Sequence, residues 1–171
     1  MLKCVGKSVL KGIAVGKIDL YRKKEFGLTQ DKVEDADAEI RRFEEAKQKA
    51  CEQLDALYEK AVKEAGEEQA MIFDVHRMML DDGDYLDAIR QEILDTKVNA
   101  TYAVSTTGDR FAEMFASMDD DYMKARSADV LDISRRVARI LAGVGEEGIA
   151  SDEPVILLAE DLSPSETVQI D

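Results

Sequence analysis

The chain has very little of the chemistry from which most enzyme sites are built. Its 171 residues include one histidine, two cysteines and no tryptophan. Glycine-rich phosphate loops, HExxH, paired CxxC and GxSxG patterns are all absent from the sequence. Cys4 and Cys51 fit no metal or redox spacing, so we expect both to be reduced thiols. The lone histidine, His76, is the remaining candidate for side-chain chemistry.

Long apolar runs and an excess of positive charge are absent as well. No segment reaches the roughly 20 apolar residues of a membrane-spanning helix, and no apolar run of signal length follows the basic N-terminus. The net charge is -14, from 37 acidic and 23 basic residues. Such a chain repels nucleic acid and anionic membranes and attracts basic partners. We therefore expect a cytoplasmic protein that binds neither nucleic acid nor membrane.

Proline is missing from the whole stretch before Pro154, which favours long uninterrupted helices. From about residue 32, apolar residues recur at alternating steps of four and three, with Lys47 as the one polar break. This spacing is typical of a long helix packed at coiled-coil-like angles, and Gly66 is expected to end it. The stripe consists of Ala36, Ile40, Phe43, Ala50, Leu54, Leu57 and Ala61.

Further helices are predicted beyond Gly66. One covers about 67–80, and a shorter one follows the turn at Gly83. Asn99 suits the N-cap of the next, and the acids of "MDDDY" suit the start of the last long helix. Glycines at 143 and 145 are expected to close it. We predict a mostly α protein with an antiparallel helical bundle over 32–143.

The two ends of the chain have a different pattern. Residues 12–22 alternate loosely and predict one or two short strands, and "PVILLA" at 154–159 predicts a buried strand. Ser163, Pro164 and Glu166 together predict a capped helix. Strands at both ends indicate that the bundle is inserted in a mixed domain. We expect 1–31 and 144–171 to form a partial α/β domain.

The segment "MIFDVHRMMLDD", 71–82, carries more apolar residues than one packed stripe requires. Acidic residues flank it on both sides. Two interpretations stay open: a docking surface for a basic, apolar-centred partner, or a buried helix with His76 hydrogen-bonded in the core. A catalytic or phosphorylated His76 is least favoured, because no serine or cysteine nucleophile lies beside it. A scaffold that dimerises through the 36–61 stripe is a further alternative.

Four segments resemble one known family. "GIAVGK", "EEQAMIFDVHRMMLDD", "DDDYMKARSADVLDISRRVARIL" and "PVILLAEDLSPSET" are similar, in order and spacing, to phosphoenolpyruvate-protein phosphotransferases, enzyme I of bacterial sugar phosphotransferase systems. The resemblance implies an α/β phosphohistidine domain with an inserted helical domain that binds the phosphocarrier HPr. It also implies a separate C-terminal barrel that binds phosphoenolpyruvate and magnesium. No cofactor is expected in the present chain.

The resemblance also implies which residues face HPr. They are Glu67, Glu68, Ile72, His76, Met78, Met79, Asp82, Phe115, Met123 and Arg126. Arg126 would contact the transferred phosphate, with an ion pair to Asp129 three residues on as the plain alternative. Thr167 would lie near the phosphorylated histidine of the family.

The family's phosphorylated histidine lies in a Gly-Gly-x-Thr-Ser-His motif, which this sequence does not contain. The resemblance thus implies a chain that has no catalytic residue and is inactive alone. The parent enzyme would move a phosphoryl group from phosphoenolpyruvate to its own histidine and then to a histidine of HPr. Dimer contacts of the parent would lie in the barrel, so we expect this chain to be monomeric.

Overall fold

A computed structural model of the chain describes residues 11–22, 26–145 and 153–170. In this part of the chain, five helices of 14 to 30 residues lie between two short strands. The chain is mostly α-helical with a small sheet, as predicted, and none of the described helices is long and apolar enough to cross a membrane. The elements are β1 (Lys17–Leu20), α1 (Ala36–Ala65), α2 (Glu67–Leu80), α3 (Gly83–Thr96), α4 (Ala100–Ala116), α5 (Asp121–Leu141), β2 (Val155–Leu158) and α6 (Pro164–Val168).

Helix α1 begins and ends at residues with clear capping chemistry. It starts four residues after the predicted Lys32, because the carboxylate of Asp35 accepts the N–H of Ala38 at 2.9 Å and fixes the first turn. Gly66 ends the helix, as predicted. Its φ of 94° is a backbone conformation that glycine adopts without steric cost.

The apolar stripe of α1 lies in the core. Phe43 and Ala50 are 0% exposed, and Leu54 is 1% exposed. They pack where α1 meets α2, α3, α4 and α5. The polar break at Lys47 forms an ion pair with Asp81, just after α2. Because the stripe is buried within the molecule, it is not free to form a dimer interface, and the scaffold alternative loses its basis.

Helices α1 and α2 form an antiparallel pair joined by Gly66 alone. Lys47 pairs with Asp81, and further along α1 Asp55 pairs with Arg77. The partner number on α2 falls as the number on α1 rises, which requires opposite directions. The side of α2 that carries Arg77 therefore faces α1.

The start of α4 is held from two directions. Asn99, the predicted cap, accepts the N–H of Tyr102 at 2.8 Å. From α1, the carboxylate of Glu39 accepts the N–H of Ala100 at 2.7 Å and a bond from Arg42 Nη1 at 2.6 Å. Glu39 is only 8% exposed. It thus satisfies a buried N–H that a helix start otherwise leaves without a partner.

Helices α4 and α5 approach closely at Gly108. A Cβ atom added there would lie 2.3 Å from Ser134 Oγ and 2.5 Å from Ser134 Cβ. Ser134 donates to the carbonyl of Val130 at 2.6 Å and lies 2.7 Å from the hydroxyl of Tyr85 on α3. One small residue on α4 therefore allows a polar contact between α3 and α5 inside the core.

The two strands pair in parallel, with Lys17 opposite Val155 and Leu20 opposite Leu158. The strand predicted at 154–159 is present as Val155–Leu158, but the prediction that it is buried was wrong: Val155 is half-buried and Leu158 is 55% exposed. Among the described residues, β1 is the only strand beside β2, and a strand with so few neighbours keeps apolar surface exposed. The division into a helical domain and a partial α/β domain stays a prediction.

Helix α6 starts as the sequence predicted. Ser163 Oγ accepts the N–H of Glu166 at 3.3 Å, and Glu166 Oε2 accepts the N–H of Ser163 at 2.7 Å. Pro164 occupies the first helical position. Ser165, the next residue, is 3% exposed and reaches α5.

Candidate docking site

The side of α2 that faces away from α1 presents apolar residues to solvent. Met78 is 73% exposed and Met71 is 59% exposed, while Ile72, Val75 and Met79 are half-buried. At 3.6 residues per turn, these side chains fall on one side of the helix. Together with the exposed acids they form what we call the α2 face: Glu67, Glu68, Met71, Ile72, Val75, Met78, Met79 and Asp82.

Acidic residues border this apolar strip at both ends. Glu67 and Glu68 lie in the first turn of α2 and are exposed. Asp82 is exposed at the other end, where its carboxylate accepts the N–H of Tyr85 at 2.9 Å and caps α3. Asp82 thus has a structural task that the sequence analysis missed, and replacing it alters α3 as well as the charge of the face.

Helix α5 contacts α2, with Asp129 and Asp132 beside His76. Met123 and Arg126, in the first two turns of α5, are half-buried. The guanidinium of Arg126 lies 4.5 Å from the centre of the Tyr122 ring, and its Nη1 donates to Asp129 Oδ2 at 2.8 Å. The ion pair given as the plain alternative is therefore present, while the phosphate contact stays a prediction. Phe115, at the end of α4, is half-buried just before the turn that leads to Met123.

His76 lies beneath the α2 face rather than on it. Its side chain is 0% exposed, with Nε2 3.1 Å from Asp129 Oδ1 and Nδ1 3.6 Å from Asp132 Oδ2. The ring of Phe73 meets it edge-on at 6.2 Å. A buried imidazole cannot accept a phosphoryl group from an external donor in this arrangement. The hydrogen-bonded histidine considered from the sequence is present, although the helix around it is not wholly buried.

Sequence reasoning did not find Asp132, nor the contact between Asp129 and His76. Asp132 Oδ2 accepts a hydrogen bond from Ser165 Oγ of α6 at 2.7 Å. Asp129 and Asp132 stand three residues apart on one helix, and this spacing was the only signal available. His76 lies 53 positions from Asp129, and Ser165 lies 33 positions from Asp132, so no local pattern connects these pairs. Thr167, also on α6, is exposed and donates to the carbonyl of Ser163 at 3.0 Å.

The described residues offer little else that could perform chemistry. Within them, no group of three or more His, Cys, Asp or Glu side chains is arranged to hold a metal ion. Cys51 is free and 5% exposed, and burial raises the pKa of its thiol, which disfavours the reactive thiolate. Cys4 lies outside the described residues.

Comparison with known families matches residues 5–126 to the family described as PEP-utilising enzyme, N-terminal. The chain belongs to this family. It is 41% identical over 173 residues to the phosphoenolpyruvate-protein phosphotransferase of Bacillus subtilis (strain 168). The match covers 99% of this chain but 30% of that protein. The corresponding protein of Enterococcus faecalis (strain ATCC 700802 / V583) is 39% identical, with 100% of this chain and 30% of the relative covered.

Two solved structures give the same result. A solution structure of Enzyme I (nEIt) superposes with a TM-score of 0.78 at 32% identity, over 91% of this chain and 64% of that one. The N-terminal domain of Enzyme 1 - Nitrogen superposes with a TM-score of 0.69 at 25% identity, over 94% and 66%. The predicted resemblance is confirmed. The chain corresponds to the N-terminal domain of enzymes that are phosphotransferases, and spans about 30% of the length of the curated relatives.

Proposed function

We propose that this chain is the HPr-docking part of a phosphoenolpyruvate-protein phosphotransferase, and that the α2 face is the docking surface. The observation that carries the proposal is the partly exposed strip of Met and Ile between two acidic ends, near Arg126. Apolar centres with polar rims are typical of protein interfaces. Such a system works in the cytoplasm, where we place the chain.

The charge of the chain supports a basic partner. At a net charge of -14, long-range attraction steers cations toward the surface and raises association rates. The apolar strip then supplies the short-range contact. Methionine side chains are flexible and polarisable, so they adapt to the surface they meet.

Arg126 supplies the contact for a phosphorylated partner. A guanidinium binds phosphate through charge-assisted, often bidentate hydrogen bonds. Arg126 lies on α5, which contacts α2, and it stands among acids that would otherwise repel a phosphate. The phosphoryl group itself would be carried by a histidine that this sequence lacks, so the chain docks HPr without transferring the group.

An NMR titration of the labelled chain with unphosphorylated HPr from the same organism tests the proposal. Amides of residues 67–84 and 115–130 should shift together and saturate. Met78→Lys should raise Kd roughly tenfold or more, because it places a charge in the apolar centre of the interface. Met78 suits the test better than half-buried Met79, because a lysine at an exposed position leaves the core intact.

Leu94→Lys is the matched control for Met78→Lys. Leu94 is 45% exposed on α3, so the change puts the same charge at an apolar surface position outside the α2 face. Its Kd should stay within about twofold of the wild type. A dispersed spectrum that does not shift with HPr, or equal losses in the two variants, contradicts the proposed surface.

Charge reversal at the edge of the face should act on association. Glu68→Lys should slow the association rate several-fold at low salt, and the difference should shrink as salt screens the charges. Glu59→Lys, at an exposed position of α1, changes the net charge equally and is the control. Stopped-flow measurements over a salt series separate the two. If both variants slow association alike, net charge alone steers the partner and the α2 face has no special part.

A further inference from the structure

A line of polar contacts runs through the bundle from α5 to α6, with His76 at its centre. Arg126 donates to Asp129, Asp129 lies at hydrogen-bond distance from His76, and His76 faces Asp132, which accepts from Ser165. The surrounding core is apolar. The residues of this polar line come from three helices, α2, α5 and α6, behind the α2 face.

A histidine that only fills space does not account for this arrangement. His76 Nδ1 is buried and has no hydrogen-bond partner among the described residues. An unsatisfied buried polar atom is costly, and an apolar side chain of similar size would avoid that cost. Two carboxylates beside one buried ring add charge to the core. These costs point to a task that requires the ring nitrogens.

The contacts fix how the ring is used. The Asp129 carboxylate can only accept, so His76 Nε2–H donates to Oδ1. Oδ2 of the same carboxylate accepts from Arg126. Asp129 is thus held from within by the imidazole and from the surface by the guanidinium. If the inner bond is lost, the carboxylate can turn, and the guanidinium loses its fixed position.

The other ring nitrogen, Nδ1, faces the carboxylate that reaches α6, without a hydrogen bond to it. Asp132 Oδ2 is 2.7 Å from Ser165 Oγ and 3.6 Å from His76 Nδ1. A single oxygen therefore faces both the hydroxyl of α6 and the ring. A shift of α6 therefore changes the hydrogen bond that Asp132 Oδ2 accepts from Ser165, and the same oxygen faces the imidazole ring.

We propose that His76 is a positioning residue for Arg126 and that it acts through Asp129. On the other side of the ring, Ser165 of α6 holds Asp132, and Asp132 fixes the position of His76. The inference rests on the proposed function, because it assigns Arg126 the task of meeting a phosphate on HPr. The buried imidazole holds the guanidinium where an incoming phosphate can replace Asp129 as its partner. The position of α6 against α5 then influences phosphate recognition on the α2 face.

The test compares affinities of this chain for histidine-phosphorylated and unphosphorylated HPr. The ratio of the affinity for phosphorylated HPr to the affinity for unphosphorylated HPr reports on phosphate recognition, whereas general damage lowers both affinities. His76→Phe keeps a ring and removes both nitrogens. It should reduce the ratio roughly fivefold while Kd for unphosphorylated HPr changes less than about twofold. His76→Gln keeps an N–H donor and should recover much of the ratio.

Two further variants examine the route. Ser165→Ala should reduce the ratio in the same direction, although Ser165 lies on α6 and outside the α2 face. Thr106→Val removes a hydroxyl that bonds only to carbonyls of α4 in the described structure, and it should leave the ratio unchanged. In an Arg126→Gln background, His76→Phe should have no further effect on the ratio, because the residue that it positions is gone.

The outcomes separate this inference from the proposed function. If no form of HPr binds the wild type, the proposed function fails, and the inference fails with it. If HPr binds but the ratio is unchanged by His76→Phe, or both affinities fall equally, only the positioning role is overturned. If His76→Phe does not fold, Ser165→Ala decides alone, and an unchanged ratio in that variant overturns the proposal.

Discussion

Gly108→Ala is expected to lower the free energy of unfolding by about 1–3 kcal/mol, the usual cost of overpacking a core. On helix propensity alone the same change would stabilise α4 by about 1 kcal/mol. The sign reverses because the added Cβ would lie 2.3 Å from Ser134 Oγ and 2.5 Å from Ser134 Cβ. Both contacts lie between packed helices, so neither atom can move aside cheaply.

A double-mutant cycle with Ser134 isolates the cause. Ser134→Ala removes Oγ but leaves Cβ, so Gly108→Ala should remain costly in that background. Ser134→Gly removes both atoms, and there Gly108→Ala should become neutral or stabilising. Urea unfolding of the single and double variants measures the coupling. A wild-type background in which Gly108→Ala raises stability would show that α4 and α5 are farther apart than the structure places them.

Much of the fold could be predicted because its signals are local. Asn99, Ser163 and Gly66 end or begin helices through contacts with residues at most five positions away, and all three were predicted correctly. The α1 stripe was recognised because the helical period repeats within a few turns. Even α2, predicted over about 67–80, has those bounds.

The contacts that define the interior of the site have no local signal. Glu39 reaches the start of α4 across 61 positions, and His76 meets Asp129 across 53. Gly108 would be expected to weaken a helix on propensity alone, and only the packed neighbour explains it. For the same reason helical spacing, which groups His76 with Ile72 and Met79, left a docking residue and a buried residue both open, and the family resemblance put His76 among the HPr-facing residues. The position of α5 decides that the ring is covered.

The buried tyrosine of α3 should make stability fall at high pH. Tyr85 is 3% exposed, and burial raises the pKa of its phenol from 10.0 to about 12, with the hydrogen bond to Ser134 as a smaller opposing effect. Because the folded-state pKa lies above the unfolded value, the stabilisation is complete below pH 10 and is lost as pH rises toward 12. The loss should be on the order of 1 kcal/mol between about pH 9 and about pH 11, and on the order of 3 kcal/mol in total.

Tyr85→Phe is the reference for this loss, because it keeps the ring against Phe111 and removes the titrating group. At about pH 9 the variant should be less stable by about 0.5–1.5 kcal/mol, the value of one buried hydrogen bond. Lysines and exposed tyrosines titrate alike in both proteins, so they cancel in the difference. The stability difference should therefore shrink with pH and change sign between about pH 10 and about pH 11. A difference that stays constant from neutral to alkaline pH would mean that the phenol is not buried against Ser134, and would also weaken the α4–α5 contact from which the Gly108 result is predicted.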